Sequence, residues 1–171
     1  MANATEPELQ AQSDAVSSSE SDKPNVLAPP PLLFGGALAL GLVVHLAFPV
    51  PLLPRGPAGW LGALLILTSI PIGVSALRAL VRAKTPIDPR KPTTAIVTEG
   101  AFRISRNPIY LSLLLLYLGL AALINSLWIV LFALPLVVVL QRGVVEREER
   151  YLERRFGERY LGYKSRVGCW I

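Results

Sequence analysis

The sequence predicts an all-α integral membrane protein with about four transmembrane helices, a C-terminal amphipathic helix and a disordered N-terminal tail. Three observations predict it. The chain is 52% hydrophobic and only 17% charged, where a soluble domain carries about 25% charge. Its apolar residues are gathered into long blocks with the charges lying between them, the pattern of lipid-soluble segments joined by wet loops. Bases also dominate two of the polar segments: 82–106 holds six against Asp88 and Glu99, and 142–171 holds eight against five acids. Such an excess marks cytoplasmic loops.

Residues 1–31 are rich in Ser, Ala, Pro and acids, and too poor in large apolar side chains to fold alone, which reads as a disordered acidic tail. The first span is 32–53, an apolar run ending among Pro49, Pro51 and Pro54. The second is 60–81, opened by Trp60 as an interfacial anchor and closed by Arg78 and Arg82, which can snorkel toward headgroups. A polar loop with Pro86, Pro89 and Pro92 follows over 83–107, long enough to be either disordered or functional. Residues 108–141 then carry no charge. One helix of that length would be about 51 Å long against a hydrocarbon core of about 30 Å. Asn125-Ser126 offers a polar turn near the middle, so two spans, 108–124 and 127–141, are expected as a tight hairpin. From 142 to 156 Val145, Glu149, Leu152 and Phe156 recur at helical spacing, and Gly157 supplies a stop. Four spans put both termini on one side, and the positive-inside rule places that side in the cytoplasm.

The basic segments lie between lipid-soluble runs, so they point to orientation and lipid headgroups rather than nucleic acid. One cysteine, Cys169, and one histidine, His45, give no cluster of soft ligands, so no zinc or iron site is expected. His45 within the first span reads as an interior polar residue with a partner. Cys169 reads as inert.

Two clusters sit where chemistry is possible. In the stretch Arg106-Asn107-Pro108-Ile109-Tyr110, Asn107-Pro108 can be a helix start, Asn as N-cap and Pro at the first helical position. Arg106 is then a headgroup anchor. The second cluster is Glu148-Glu149. Glu149 shares the apolar stripe with Val145, Leu152 and Phe156, and an acid there needs a partner; a solvated face with salt bridges is the alternative. Both clusters fall at the same membrane edge. Together they can form a zwitterion site, with a carboxylate for an ammonium or hydroxyl groups and a helix N-terminus for an anion.

The stretch from Thr93 to Leu111 and that from Val145 to Val167 resemble the isoprenylcysteine carboxyl methyltransferases, integral membrane enzymes related to phospholipid methyltransferases. The resemblance is carried by Gly100, Phe102, Arg106 to Tyr110, Glu148-Glu149, Phe156-Gly157, Tyr160 and Tyr163. It implies a membrane methyltransferase domain over 32–171, with cofactor-binding helices in 142–167 and S-adenosylmethionine held at the cytosolic face. Its contacts would fall on Thr94, Ala95, Ile96, Val97, Phe102, Asn107, Pro108, Ile109, Tyr110 and Glu148; the stripe argument adds Glu149. Asn107 stands where the family usually has His, and Val144 where it tends to have the substrate arginine. Arg106 or Arg142 would then orient an anionic acceptor. The implied partners are the lipid bilayer and a lipophilic or lipidated acceptor, with no metal. Two other classes are the alternatives: an NADPH-dependent reductase of the steroid 5-alpha type, which shares an Arg-x-Pro-x-Tyr entry but generally has more than four spans, and a non-enzymatic four-span membrane protein.

Overall fold

The computed structural model describes residues 28–88 and 91–171, and every regular element among them is helical. Six α-helices follow in order: α1 Pro30–Ala47, α2 Arg55–Arg82, α3 Pro108–Ile124, α4 Leu127–Leu140, α5 Glu146–Phe156 and α6 Glu158–Lys164. A 3₁₀ turn, Gly100–Arg103, precedes α3, and a π turn, Gln141–Val145, joins α4 to α5. The expected tail falls outside the described residues as far as 27, and Pro30 and Pro31 already belong to α1.

Two spans differ in extent from the expectation for physical reasons. The first stops at Ala47 rather than 53, because Phe48 precedes Pro49 and a residue before proline is pushed out of helical geometry. The second starts at Arg55 rather than 60, since Pro57 lies in its first turn, where a missing N–H costs nothing. The hairpin keeps within a residue of the expected limits, its second helix ending at Leu140 rather than 141. Asn125 turns it with a left-handed backbone (φ 58°), and the Ser126 hydroxyl caps α4 by accepting the Ile129 N–H.

Three apolar helical stretches are long enough to cross a membrane, beginning at Pro30, Arg55 and Leu127. The last runs on through the π turn into α5, but its uncharged part ends before Arg142. At 17 residues α3 is shorter, at the low end of what a bilayer needs. The protein is thus an all-α membrane protein. Lipid gives no hydrophobic drive between helices, so close backbone approach has to hold them. α2 packs on α3 and α1 on α4. A Cβ on Gly62 would lie 2.8 Å from the Gly119 carbonyl, and one on Gly41 would lie 2.9 Å from the Ile129 Cα. Between the pairs, Tyr117 is buried, meets Phe34 edge-on and donates its hydroxyl to the Ile129 carbonyl.

The four antiparallel helices give the bundle two unlike ends. At the tip end Asn125 clasps the loop from α1 to α2: its Oδ1 accepts from the Leu52 and Leu53 N–H groups, and its Nδ2 donates to the Leu53 carbonyl. Trp128 Nε1 donates to the Phe48 carbonyl. His45 also lies at this end, and its buried Nδ1 has no hydrogen-bond partner among the described residues, contrary to the expected satisfied histidine. The opposite end carries the 83–107 loop, α5 and α6.

Candidate active site

The charged end of the bundle is organised by the π turn. Its wider winding shifts the register between α4 and α5, burying Gly143, Val144 and Val145 while leaving Arg142 exposed. π turns inside helices recur at functional sites. Beyond it, α5 brings Glu148 and Glu149 to the start of α3. Tyr110 donates its hydroxyl to Glu148 Oε2 at 2.9 Å, across 38 residues of sequence. Arg106 Nη2 lies 2.9 Å from Glu149 Oε1, with both side chains nearly buried. This is a close ion pair whose angle falls short of a hydrogen bond, since that oxygen has no hydrogen-bond partner. Lys164 of α6 holds the other Glu149 oxygen at 3.0 Å and Glu153 at 2.6 Å.

The two glutamates therefore differ. Glu149 is neutralised by two cations and pins α6 and the loop to α5. Among the described residues Glu148 pairs with no cation and meets only the Tyr110 hydroxyl. Burial pushes its carboxyl up to about 7; the Tyr110 hydrogen bond opposes the shift and the Glu149 charge adds to it. A perturbed acid in a cleft is where function concentrates.

Between these groups lies a cavity of about 100 Å³ that widens into an open mouth. Ala95, Ile96, Val97, Phe102, Arg106, Asn107, Pro108, Ile109, Tyr110, Glu148 and Glu149 all line it. Of the residues singled out in the sequence, Thr94 and Arg142 do not. The Thr94 hydroxyl is drawn to the Lys84 carbonyl and the Thr85 hydroxyl, and Arg142 faces outward. Thr93 lines the cavity in place of Thr94, its N–H donating to the buried Tyr151 hydroxyl.

Asn107 precedes α3 but does not cap it. Its Nδ2 donates to the Cys169 carbonyl at 3.1 Å, an acceptor shared with the Ser105 hydroxyl, and the Arg106 N–H donates to the Gly168 carbonyl. The chain's last residues thus brace the loop. Trp170 ties them in turn to the π turn, donating to Gln141 Oε1. Cys169 is half-buried, and burial raises its thiol, which fits an inert residue. Because Asn107 bonds elsewhere, the first N–H groups of α3 have no side-chain cap and remain available to an anion.

Sequence reasoning missed Leu80, Ile87, Asp88 and Leu152 in the wall, and gave Tyr160 and Tyr163 no place in it. The tyrosines had a signal, three residues apart on α6; they meet edge-on, and the Tyr163 hydroxyl donates to the Phe102 carbonyl. Ile87 and Asp88 lie in a proline-rich stretch with no periodicity to read.

No group of three or more His, Cys, Asp or Glu able to hold a metal ion occurs among the described residues. An apolar bundle that gathers a desolvated acid, a nearly buried arginine and an uncapped helix start around one cavity at one end defines a membrane protein with a polar pocket at one edge of its helices. Residues 57–159 match the model of the phospholipid methyltransferase family, and the chain belongs to that family. A short protein of Haemophilus influenzae, described as an uncharacterized protein, is 36% identical over 62 residues; these cover 98% of that protein and 36% of this chain. No solved structure matches the chain.

Proposed function

We propose that the protein transfers the methyl group of S-adenosylmethionine to a lipophilic acceptor at the cytosolic membrane face, in the manner of the isoprenylcysteine carboxyl methyltransferases. The observation that carries this reading is the Tyr110–Glu148 contact, which joins α3 to α5 around one cavity. The donor set fits the cofactor. Ionised Glu148 would take its ammonium or ribose hydroxyls. The uncapped start of α3 and the unpartnered Nε of Arg106 would take its carboxylate. Apolar wall residues such as Ala95, Val97 and Phe102 would take the adenine. When bound, the cofactor supplies an electrophilic methyl group on sulfur. The chain's part is to orient the acceptor in line and to exclude water.

A carboxylate or thiolate acceptor needs no strong base, which suits a cavity whose desolvated acid, Glu148, is engaged by Tyr110. Arg106 already binds the Lys164 carbonyl as well as Glu149, so its role is chiefly to position the loop. Arg142 meets an acceptor only from outside the cavity. The residues at the cavity end, including both termini, face the cytoplasm in this reading, as the basic excess there favours. The cofactor-binding unit is 142–167 together with the 93–110 stretch.

The test is to supply detergent-purified protein with methyl-labelled S-adenosylmethionine and a panel of prenylated thiols, prenylcysteines and phospholipids. Label transferred to one lipophilic class supports the proposal. Thermal stabilisation by NADPH but not by S-adenosylmethionine or S-adenosylhomocysteine would overturn it.

A further inference from the structure

A second hollow lies on α2, away from the cavity. Its apolar part is formed by Ile70, Pro71 and Val74, its floor by Ser75, Ala79 and Gly100, and its polar end by Arg78, Arg82 and Glu99; it holds about 430 Å³. The fold builds it deliberately close. Gly100 takes a left-handed backbone (φ 59°), and a Cβ there would come within 2.7 Å of Ser75 Oγ. That hydroxyl accepts the Ala101 N–H at 3.0 Å. The 3₁₀ turn is therefore fastened to α2 and forms a wall of the groove.

Arg78 and Arg82 are one helical turn apart on the same face, both are exposed, and neither pairs with a carboxylate among the described residues. Ile70 to Arg82 spans about 18 Å along the helix, close to the roughly 15 Å of one hydrocarbon leaflet. α2 has 28 residues, about 42 Å, so its arginine end reaches the headgroup layer. Apolar surface thus gives way to paired cations over one leaflet's depth. Glu99 offsets one of the two charges, leaving the groove's three charged side chains a net +1, the complement of a headgroup with one net negative charge rather than of a zwitterionic one.

We propose that this groove binds an anionic phospholipid, with the phosphate between Arg78 and Arg82 and one acyl chain along Ile70 and Val74. The lipid is a bound component of the fold, separate from any acceptor in the cavity. Its binding does not depend on methyl transfer, so either proposal can fail alone.

The experiment is a titration of the detergent-purified full chain with phosphatidylglycerol or phosphatidylcholine of equal chain length, read by native mass spectrometry. A single phosphatidylglycerol adduct is expected, with phosphatidylcholine at least tenfold weaker. Arg78→Gln with Arg82→Gln should weaken phosphatidylglycerol roughly thirtyfold, to the level of phosphatidylcholine. The double lysine variant should keep most of the affinity, because charge is retained. Glu99→Gln, an exposed change, should tighten binding severalfold, which keeps the proposal testable even if the double glutamine variant misfolds. Equal binding of the two lipids, or an unchanged preference in both the glutamine double variant and Glu99→Gln, contradicts the proposal. So does full displacement of the lipid by millimolar inorganic phosphate, which would mark a site for free anions.

Discussion

The two ends of the helical bundle satisfy their polar groups in opposite ways. At the tip end one residue, Asn125, meets three backbone groups of the facing loop, Ser126 caps α4, and Trp128 bonds the Phe48 carbonyl. At the cavity end Glu148 is desolvated without a cation, Arg106 Nε is buried without an acceptor, and α3 starts without a side-chain cap. Buried polar groups left unmet cost stability. A fold tolerates them where a ligand supplies the missing partner. His45 Nδ1 is the exception at the tip end, buried without a hydrogen-bond partner among the described residues; the other unmet groups gather at the cavity end, where the ligand proposed above would meet them.

Substitutions at the two ends should therefore separate binding from stability. The largest effect expected is on ligand affinity. Replacing Glu148 with Ala removes the charge-assisted partner and should weaken S-adenosylmethionine binding by roughly tenfold to a hundredfold, read by isothermal calorimetry, with little loss of thermal stability. Overpacking the helix pair comes next. Gly62→Ala puts a methyl 2.7 Å from Leu123 and 2.8 Å from the Gly119 carbonyl, and should cost about 1–3 kcal/mol in detergent unfolding, lowering the melting temperature. Asn125→Ala forfeits the tip clamp and asks alanine for a left-handed backbone. A loss of about 1–3 kcal/mol is expected with the ligand Kd unchanged; a large change in Kd would show that the two ends are not independent.

The pH dependence sharpens the same contrast. Glu148 holds its proton up to about 7 in the folded protein, against an ordinary value of 4.5. Between those values the folded state binds more protons than the unfolded one, so its contribution lowers stability as pH rises from about 4.5 to about 7 and levels off above. Ligand affinity should run the other way, rising as the carboxylate ionises between pH 6 and 8. Glu148→Gln should flatten both profiles. The smallest effect is expected for Phe102→Leu, which keeps an apolar wall and should change the Kd by only a fewfold.

Much of the bundle was legible because lipid imposes simple rules. A charge-free run of 34 residues cannot be one span, and Asn-Ser near its middle marks the turn; α3 and α4 lie within a residue of those limits. Local proline chemistry moved the ends of the first two spans. The grouping of the candidate residues was legible in outline, since Glu148, Tyr110 and the Ala95–Val97 stretch all line one cavity. Its division of labour was not. The stripe argument rightly gave Glu149 a need for partners, but Arg106 and Lys164 come from 43 residues upstream and from the following helix, beyond any periodicity. Asn107 read as a cap because local rules favour it there. Instead its Nδ2 donates to the Cys169 carbonyl, which holds the side chain out of the capping position, a contact between residues 62 apart that no local pattern shows.

The most direct test of the central claim is the S-adenosylmethionine Kd of three proteins measured in one detergent at pH 8: the unaltered chain, Glu148→Gln and Asn125→Ala. The account predicts binding by the first and third with equal affinity and a loss of at least tenfold in the second. Undiminished affinity in a folded Glu148→Gln protein would contradict it and place the cofactor elsewhere.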